Sequence, residues 1–410
     1  MNSIFIALGL ALLQGLAALP WLIAIDPQQA GAAIRRPSVW LGFVGGVLLG
    51  AVGLFALMQF RNDPSKLEFD GQVYASILHL QLGIDAIITV LAVLLWLWPK
   101  GGTVALAAFR EGYRQPMFWL IIGGVIILLV ISVFIPYFSF GDDFKMMKQL
   151  SFDMIKLSTL LFAVLAASIS ISEEIEGRTA VTLMSKPVTR RQFLLGKFFG
   201  ILLAAAAMTV LLSWVQNWMI YWKPFQVRLE DTIDPLSNAV QAKIVPAMQH
   251  FGPLQLDLGP EGTGFIKGIG LWLGESLANL CGLALGFGQV MIMLAIAASL
   301  ATRLPMIVSL NVCLIFYLLG NLAPILARES EQLSQKSGGA LTLVAFLAQL
   351  MDKVLPSFNF FSTDQVFMRE TYLQPSRFAV YVASAGLYAV IYTVMSLFAG
   401  LFLIEDRDLA

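Results

Sequence analysis

The chain alternates between long apolar runs and shorter polar segments. Nine runs approach or exceed the roughly 20 apolar residues that a helix needs to cross the hydrocarbon core of a membrane. They lie at about 3–25, 39–60, 76–98, 117–137, 154–172, 194–222, 269–300, 304–327 and 378–404. This pattern predicts an all-α polytopic membrane protein with about nine transmembrane helices. The longest runs are expected to tilt or to emerge partly from the bilayer.

The segment between the third and fourth runs divides the chain. Residues 100–116 place Arg110, Glu111 and Arg114 beside alanine and phenylalanine, which is typical of a helix lying along the membrane interface. We therefore predict an N-terminal three-helix region at 1–99 and a six-helix domain at 100–410, which begins with this elbow helix.

Two segments of the six-helix domain are long and are predicted to be external. One spans about 223–268 and is polar and rich in proline and glycine. The other spans about 328–377 and contains an apolar run at 339–351. Because this run is too short to span a bilayer, we expect it to dip into the outer leaflet and return.

Composition supports a membrane protein. Of the 410 residues, 58% are apolar and 13% are charged, whereas soluble domains have about 45–50% and about 25%. The mean hydropathy of +0.79 leaves no room for a large water-soluble domain. Because Lys plus Arg (26) balances Asp plus Glu (26), nothing in the charge favours nucleic acid as a partner. Membrane lipid is the expected surrounding.

Basic residues predict the orientation of the helices. Lysine and arginine are densest in the loops that share a side with residues 173–193, and acids prevail in the other loops. The positive-inside rule then places the N-terminus outside and the C-terminus in the cytoplasm.

Two acids lie within the apolar runs, Asp85 in the third and Glu275 in the seventh. Ionisable groups in hydrocarbon are costly and often functional, so both are candidate intramembrane polar sites. The alternative is structural: Asp85 could hydrogen-bond within the three-helix region, and Glu275 could reach the headgroups.

The loop after the fifth run has the most distinctive sequence, SISEEIEGRTAVTLMSKPVTRRQFLLGKFFG at 170–200. Pro187 should end a first short helix and Thr189 can cap the next one. The mixed charges suit docking of a soluble partner, although an ordinary positive-inside tether would also explain them.

This string resembles the first cytoplasmic loop of ABC-2 type exporter permeases, in which an acidic EE-x-E-GR precedes SKPVxRxxFxxGK. An elbow helix, a long external segment and the string LPSFNFFS at 355–362 agree with that family, so the resemblance covers about 103–410. The residues of the loop that it assigns to docking of an ATPase are Glu173, Glu174, Glu176, Gly177, Arg178, Ser185, Lys186, Pro187, Arg190, Arg191, Phe193, Gly196 and Lys197.

The resemblance implies a permease subunit of an ABC exporter in a prokaryotic cytoplasmic membrane, paired with a second permease chain. A separate ABC-type ATPase would bind ATP and Mg and drive transport. No G-x-x-x-x-G-K-[ST] string occurs in the chain. We therefore expect a transporter subunit that is not itself an enzyme and has no cofactor of its own. The alternative is a membrane scaffold that anchors such an ATPase for surface assembly or mechanical work.

Overall fold

A computed structural model describes residues 2–25, 35–61, 63–135, 143–176, 188–226, 259–334 and 375–405, together with most of 346–362. Within these ranges the chain is helical and contains no strand. The long helices are α1 (Asn2–Ile25), α2 (Pro37–Phe60), α3 (Pro64–Leu97), α4 (Pro99–Arg114), α5 (Pro116–Phe134), α6 (Asp143–Glu176), α7 (Arg190–Gln226), α8 (Gly259–Leu300), α9 (Met306–Ser334) and α10 (Pro375–Glu405).

Among the described residues, nine helices are long and apolar enough to cross a membrane. They are all of these helices except α4, and each contains most of one predicted run. The prediction of an all-α polytopic membrane protein is therefore confirmed.

Proline sets the start of half of these helices. Pro37, Pro64, Pro99, Pro116 and Pro375 are the first residues of α2, α3, α4, α5 and α10. Proline suits this position because its fixed φ is already helical and its missing N–H would have no partner inside the helix.

The elbow helix α4 forms where the sequence predicts an amphipathic segment. Its buried face consists of small residues, including Gly101, Ala105, Ala108 and Gly112. It ends because Gln115 precedes Pro116 and adopts an extended conformation, which proline imposes on the residue before it.

Helices α6 and α7 are much longer than the predicted runs at 154–172 and 194–222. They have 34 and 37 residues, or roughly 50 and 55 Å at 1.5 Å per residue, whereas the hydrocarbon core measures about 30 Å. Apolar runs mark only the part of a helix that lies in hydrocarbon, so they do not predict its polar ends.

The structure divides into two compact units. One contains residues 1–93 and 213–280, and the other contains 94–212 and 281–410. These units reflect packing, and the sequence-based division at residues 99 and 100 stays a prediction.

In the first unit, α3 and α8 touch backbone to backbone through a reciprocal pair of glycines. A Cβ atom at Gly71 would lie 2.0 Å from the Phe265 carbonyl oxygen, and one at Gly268 would lie 2.0 Å from the Glu68 carbonyl oxygen. Beside this contact, Lys267 Nζ lies 2.9 Å from Glu68 Oε2.

In the second unit, the string at 355–362 is anchored to the neighbouring helices. Phe358 and Phe361 are buried in a short 3-10 helix, Phe358–Phe361. The Ser357 N–H donates to the Tyr388 hydroxyl of α10 at 2.8 Å. The predicted re-entrant run at 339–351 lies mostly outside the described residues, and so does most of the external segment at 223–268.

Candidate functional site

The structure describes both ends of the 173–193 loop, residues 173–176 and 188–193, which we call its roots. Residues 177–187 lie outside the described part of the chain. Helix α6 ends at Glu176 and α7 begins at Arg190, with Val188 and Thr189 leading into it. Several predicted docking residues lie outside the described part of the chain, namely Gly177, Arg178, Ser185, Lys186 and Pro187. The side chain of Glu176 is likewise not described.

Lys197 joins three helices at these roots. Its Nζ atom donates to Glu111 Oε2 of α4 at 2.9 Å, to Ser170 Oγ of α6 at 2.7 Å and to Glu174 Oε1 of α6 at 2.5 Å. An ammonium group has three N–H donors, so each of them has a partner here. The side chain of Lys197 is only 5% exposed.

Electrostatically, the Lys197 junction places one cation between two carboxylates. Glu174 is 24% exposed and Glu111 is 40% exposed, so Glu111 also faces solvent. The Ser170 hydroxyl donates to Glu111 Oε2 at 3.1 Å, which adds a second link between α4 and α6. The junction therefore fixes the end of α6 and the start of α7 against the elbow helix.

Glycines allow α7 to approach the elbow helix closely. A Cβ atom at Gly196 would lie 2.7 Å from Val104 Cβ, and one at Gly200 would lie 2.3 Å from the Ala105 carbonyl oxygen. Phe193, 3% exposed, is also buried. Of the predicted docking residues, Phe193, Gly196 and Lys197 are thus in the interior, where they support the loop.

The start of α7 has the cap that the sequence predicts. The Gln192 N–H donates to Thr189 Oγ1 at 3.2 Å, and the Thr189 N–H donates to Gln192 Oε1 at 3.1 Å. This reciprocal pair is a capping box. The predicted cap by Thr189 is confirmed.

Among the described charged residues near the loop, Glu173 is exposed, while Arg190 and Arg191 both contact the end of α10. Arg190 Nη1 donates to the Ile404 carbonyl at 2.9 Å, and Arg191 Nε donates to Glu405 Oε1 at 2.8 Å. The docking role predicted for these arginines stays a prediction.

The entry root of the loop has a further attachment. The Ser172 hydroxyl lies 3.4 Å from the Ala301 carbonyl oxygen and 3.2 Å from the Leu304 carbonyl oxygen. These carbonyls belong to the turn at 301–305 between α8 and α9. Helix α6 is therefore fixed just before the loop begins.

A comparison with protein families identifies this region. The model of a family described as "ABC-2 family transporter protein" matches residues 113–239. Residues 113–239 are therefore similar to an ABC-2 family transporter domain. The match contains α5, α6, the loop and α7, so the resemblance that the loop motif suggested is confirmed there. The matched segment, 113–239, is shorter than the segment 103–410 over which the sequence resembles the family. No curated protein matches the chain significantly.

Glu111 and Ser170 belong to the junction but are not among the predicted docking residues. Ser170 opens the string at 170–200, whereas Glu111 lies 59 positions earlier in the chain. A signal was present for Glu111. Ala108, Glu111 and Gly112 lie three and four residues apart, so this acid shares the small-residue face of the elbow helix. A carboxylate on a packed helix face needs a partner of opposite charge, so this position predicts a nearby cation.

The two candidate intramembrane acids, Asp85 and Glu275, lie outside the ABC-2 domain, in the first unit. The Oδ1 atom of Asp85 is buried, and so is the Nε1 atom of Trp21; neither has a hydrogen-bond partner among the described residues. Glu275 is half-buried in α8. A role for either in transport stays a prediction. Among the described residues, no cluster of His, Cys, Asp and Glu could hold a metal ion.

Proposed function

We propose that the chain is the transmembrane permease subunit of an ABC exporter and that a separate ATPase docks on the loop at 173–193. The match to an ABC-2 transporter family supports a permease role in an ABC-type system. One observation carries the docking proposal. Lys197 joins both roots of the loop to the elbow helix through a buried ammonium group.

The Lys197 junction suits a loop that must pass motion to helices. To couple ATP hydrolysis to transport, the permease needs an element with two arrangements. The ATPase and the substrate must each bind one of these arrangements more tightly than the other. A loop on flexible roots would absorb the movement of its partner. With its roots held by α4, α6 and α7, the loop instead moves these helices together.

The charges of the loop indicate how the ATPase would bind. Glu173, Glu174 and Glu176 would face basic groups of the partner, while Arg190 and Arg191 would face acidic ones. Such surface charges mainly tune association rate and register. Because Glu174 is engaged by Lys197 and both arginines contact α10, exposed Glu173 is the cleanest probe of docking.

The complete transporter would contain two permease chains, identical or different, in a prokaryotic cytoplasmic membrane. In this arrangement the N-terminus is outside and the C-terminus is cytoplasmic. ATP and Mg bind to the partner ATPase, and the energy of hydrolysis moves substrate outward through the paired permeases.

The proposal is tested by affinity purification from membranes solubilised in mild detergent. The wild type is compared with a variant in which residues 177–187 are replaced by a glycine–serine linker. This replacement spares Glu174 and the capping box of α7. We expect an ABC-type ATPase to copurify with the wild type and to be lost from the variant.

A pair of point variants makes the test more specific. Glu173→Lys reverses an exposed charge at the loop, and Glu329→Lys reverses an exposed charge at the far end of α9. Only Glu173→Lys should weaken recovery of the ATPase. If no ATPase copurifies with the wild type, or if both variants weaken recovery equally, the docking proposal is wrong.

A further inference from the structure

Three arginines contact the C-terminal end of α10. Arg190 Nη1 donates to the carbonyl oxygens of Ile404 and Glu405, at 2.9 and 3.1 Å. From the turn between α8 and α9, Arg303 Nε donates to the Leu403 carbonyl at 2.8 Å. We call Arg190, Arg191, Arg303 and residues 403–405 the arginine clasp.

Arg191 completes the clasp through a side-chain pair. Its Nε and Nη2 atoms lie 2.8 and 2.6 Å from the same carboxylate oxygen, Glu405 Oε1. Arg190 thus contacts the backbone at the end of α10, and Arg191 contacts the side chain of Glu405, the last described residue of that helix.

Helix physics explains why arginines gather at this point. The last carbonyls of a helix have no N–H partner within the helix, and they form the negative end of its dipole. A guanidinium group supplies several N–H donors from one rigid plane, so it satisfies such carbonyls well. In the clasp, three successive carbonyls receive N–H groups from two different loops.

The packing of α8 against α10 reinforces the clasp. The Ser299 hydroxyl donates to the Ser396 carbonyl at 2.6 Å. A Cβ atom at Gly400 would lie 2.5 Å from Ser299 Oγ. The turn at 301–305 therefore meets α10 at close range, and Ser172 ties the same turn to the entry root of the loop.

Both roots of the docking loop are consequently connected to α10 by hydrogen bonds. The exit root reaches it directly through Arg190 and Arg191, and the entry root reaches it through Ser172, the 301–305 turn and Arg303. We infer that the arginine clasp makes α10 move with the docking loop, with Arg190, Arg191, Arg303 and Glu405 as positioning residues. This inference rests on the proposed function, in which an ATPase moves the loop.

The contacts favour a positioning role over a purely stabilising one. The side chains of Arg191 and Glu405 are 67% and 45% exposed, and such exposed pairs contribute little to stability. Hydrogen bonds to backbone carbonyls nevertheless fix the helix end in one place, because a carbonyl cannot change rotamer.

The test measures distances between spin labels in the complex of the full chain with its copurified ATPase. The native Cys281 and Cys313 are first replaced by alanine. One label pair joins Ile127 of α5 to Phe402 of α10, and the other joins Ile127 to Glu173 at the loop; all three residues are exposed. Because Glu173 belongs to the predicted docking residues, the labelled chains are first checked for copurification of the ATPase. Distances are then recorded without nucleotide and with a non-hydrolysable ATP analogue.

In the wild type, we expect the analogue to change both distances. Arg190 and Arg191 also belong to the predicted docking residues, so Arg190→Gln/Arg191→Gln/Arg303→Gln is first checked for copurification of the ATPase. In the complex that it forms, the distance to residue 173 should still change and the distance to residue 402 should not. Arg110→Gln removes an exposed arginine outside the clasp and should behave as the wild type does. Because the triple variant could fold poorly, Arg191→Glu is also compared with Arg191→Glu/Glu405→Arg, in which the restored pair should recover the change at residue 402.

Two results would overturn the inference while leaving the proposed function intact. In the first, the distance to residue 402 changes equally in the wild type and the triple variant. In the second, the wild type shows a change at residue 173 and none at residue 402. A wild type that binds no ATPase, or that shows no change at either position, overturns the proposed function and this inference with it.

Discussion

One helix junction in each unit illustrates a different way of holding helices together, although α7 also meets α4 through Gly196 and Gly200. In the first unit, α3 and α8 meet through Gly71 and Gly268, with backbone against backbone. In the second, α4, α6 and α7 meet through a buried ammonium group between two carboxylates. Glycine contacts allow the closest packing and tolerate no added atom. A charged junction depends instead on the hydrogen bonds and the charges of its members.

The glycine contact is expected to give the largest effect. Gly268→Ala places a Cβ atom 2.0 Å from the Glu68 carbonyl oxygen, and backbone cannot rotate away as a side chain can. We expect a loss of stability beyond the about 1–3 kcal/mol that is typical of overpacking, with little folded protein recovered. Size-exclusion chromatography in detergent and thermal unfolding measure this.

A glycine in the same unit provides the matched control. Nothing lies within 4 Å of a Cβ atom at Gly46 of α2. Gly46→Ala should leave the fold intact and stabilise the helix by about 0.5–1 kcal/mol, because alanine loses less conformational freedom. Equal behaviour of the two alanine variants would contradict the close contact between α3 and α8.

The charged junction should give the next largest effect. Lys197→Met removes the cation between Glu111 and Glu174, and loss of one partner from a buried ion pair costs about 3–5 kcal/mol. We expect a value below this range, because Glu111 is 40% exposed and water can solvate it. Thermal unfolding in detergent at neutral pH provides the measurement.

Lys267 is the natural control for Lys197. It pairs with Glu68 at 2.9 Å, the same distance as Lys197 to Glu111, but its side chain is 46% exposed. Lys267→Met should therefore cost only about 0–1 kcal/mol. Adding Glu174→Gln to Lys197→Met should restore part of the lost stability. Similar losses of stability in Lys197→Met and Lys267→Met would contradict the prediction that the buried lysine contributes more than the exposed one.

The sequence predicts features that depend on neighbouring residues. The spans follow from apolar runs, and the Thr189 cap follows from a threonine that comes just after Pro187 and before the next helix. The Lys197 junction could not be predicted in this way, since its partners Glu111 and Ser170 lie 86 and 27 positions earlier in the chain. The clasp is still less local, because Arg191 and Glu405 are 214 positions apart. Only the fold brings these residues together.

The cap at the start of α7 should have an intermediate effect. Thr189→Ala removes the acceptor for the Gln192 N–H and should cost about 0.5–2 kcal/mol. Thr189→Ser keeps the hydroxyl oxygen and should cost much less. Thermal unfolding of the two variants measures the difference. Equal losses would show that the methyl group of Thr189 matters rather than the capping box.

The pair between Arg191 and Glu405 should have the smallest effect on stability. A double-mutant cycle with Arg191→Ala and Glu405→Ala should give a coupling energy of about 0.2–1 kcal/mol, because both side chains are exposed. The coupling should also weaken as salt rises, since ions screen exposed charges. A coupling energy of several kcal/mol would place this pair with the Lys197 junction as a stabilising element. A small coupling energy, combined with loss of the distance change at residue 402 in the clasp variants, would show that this pair positions α10 without stabilising the fold.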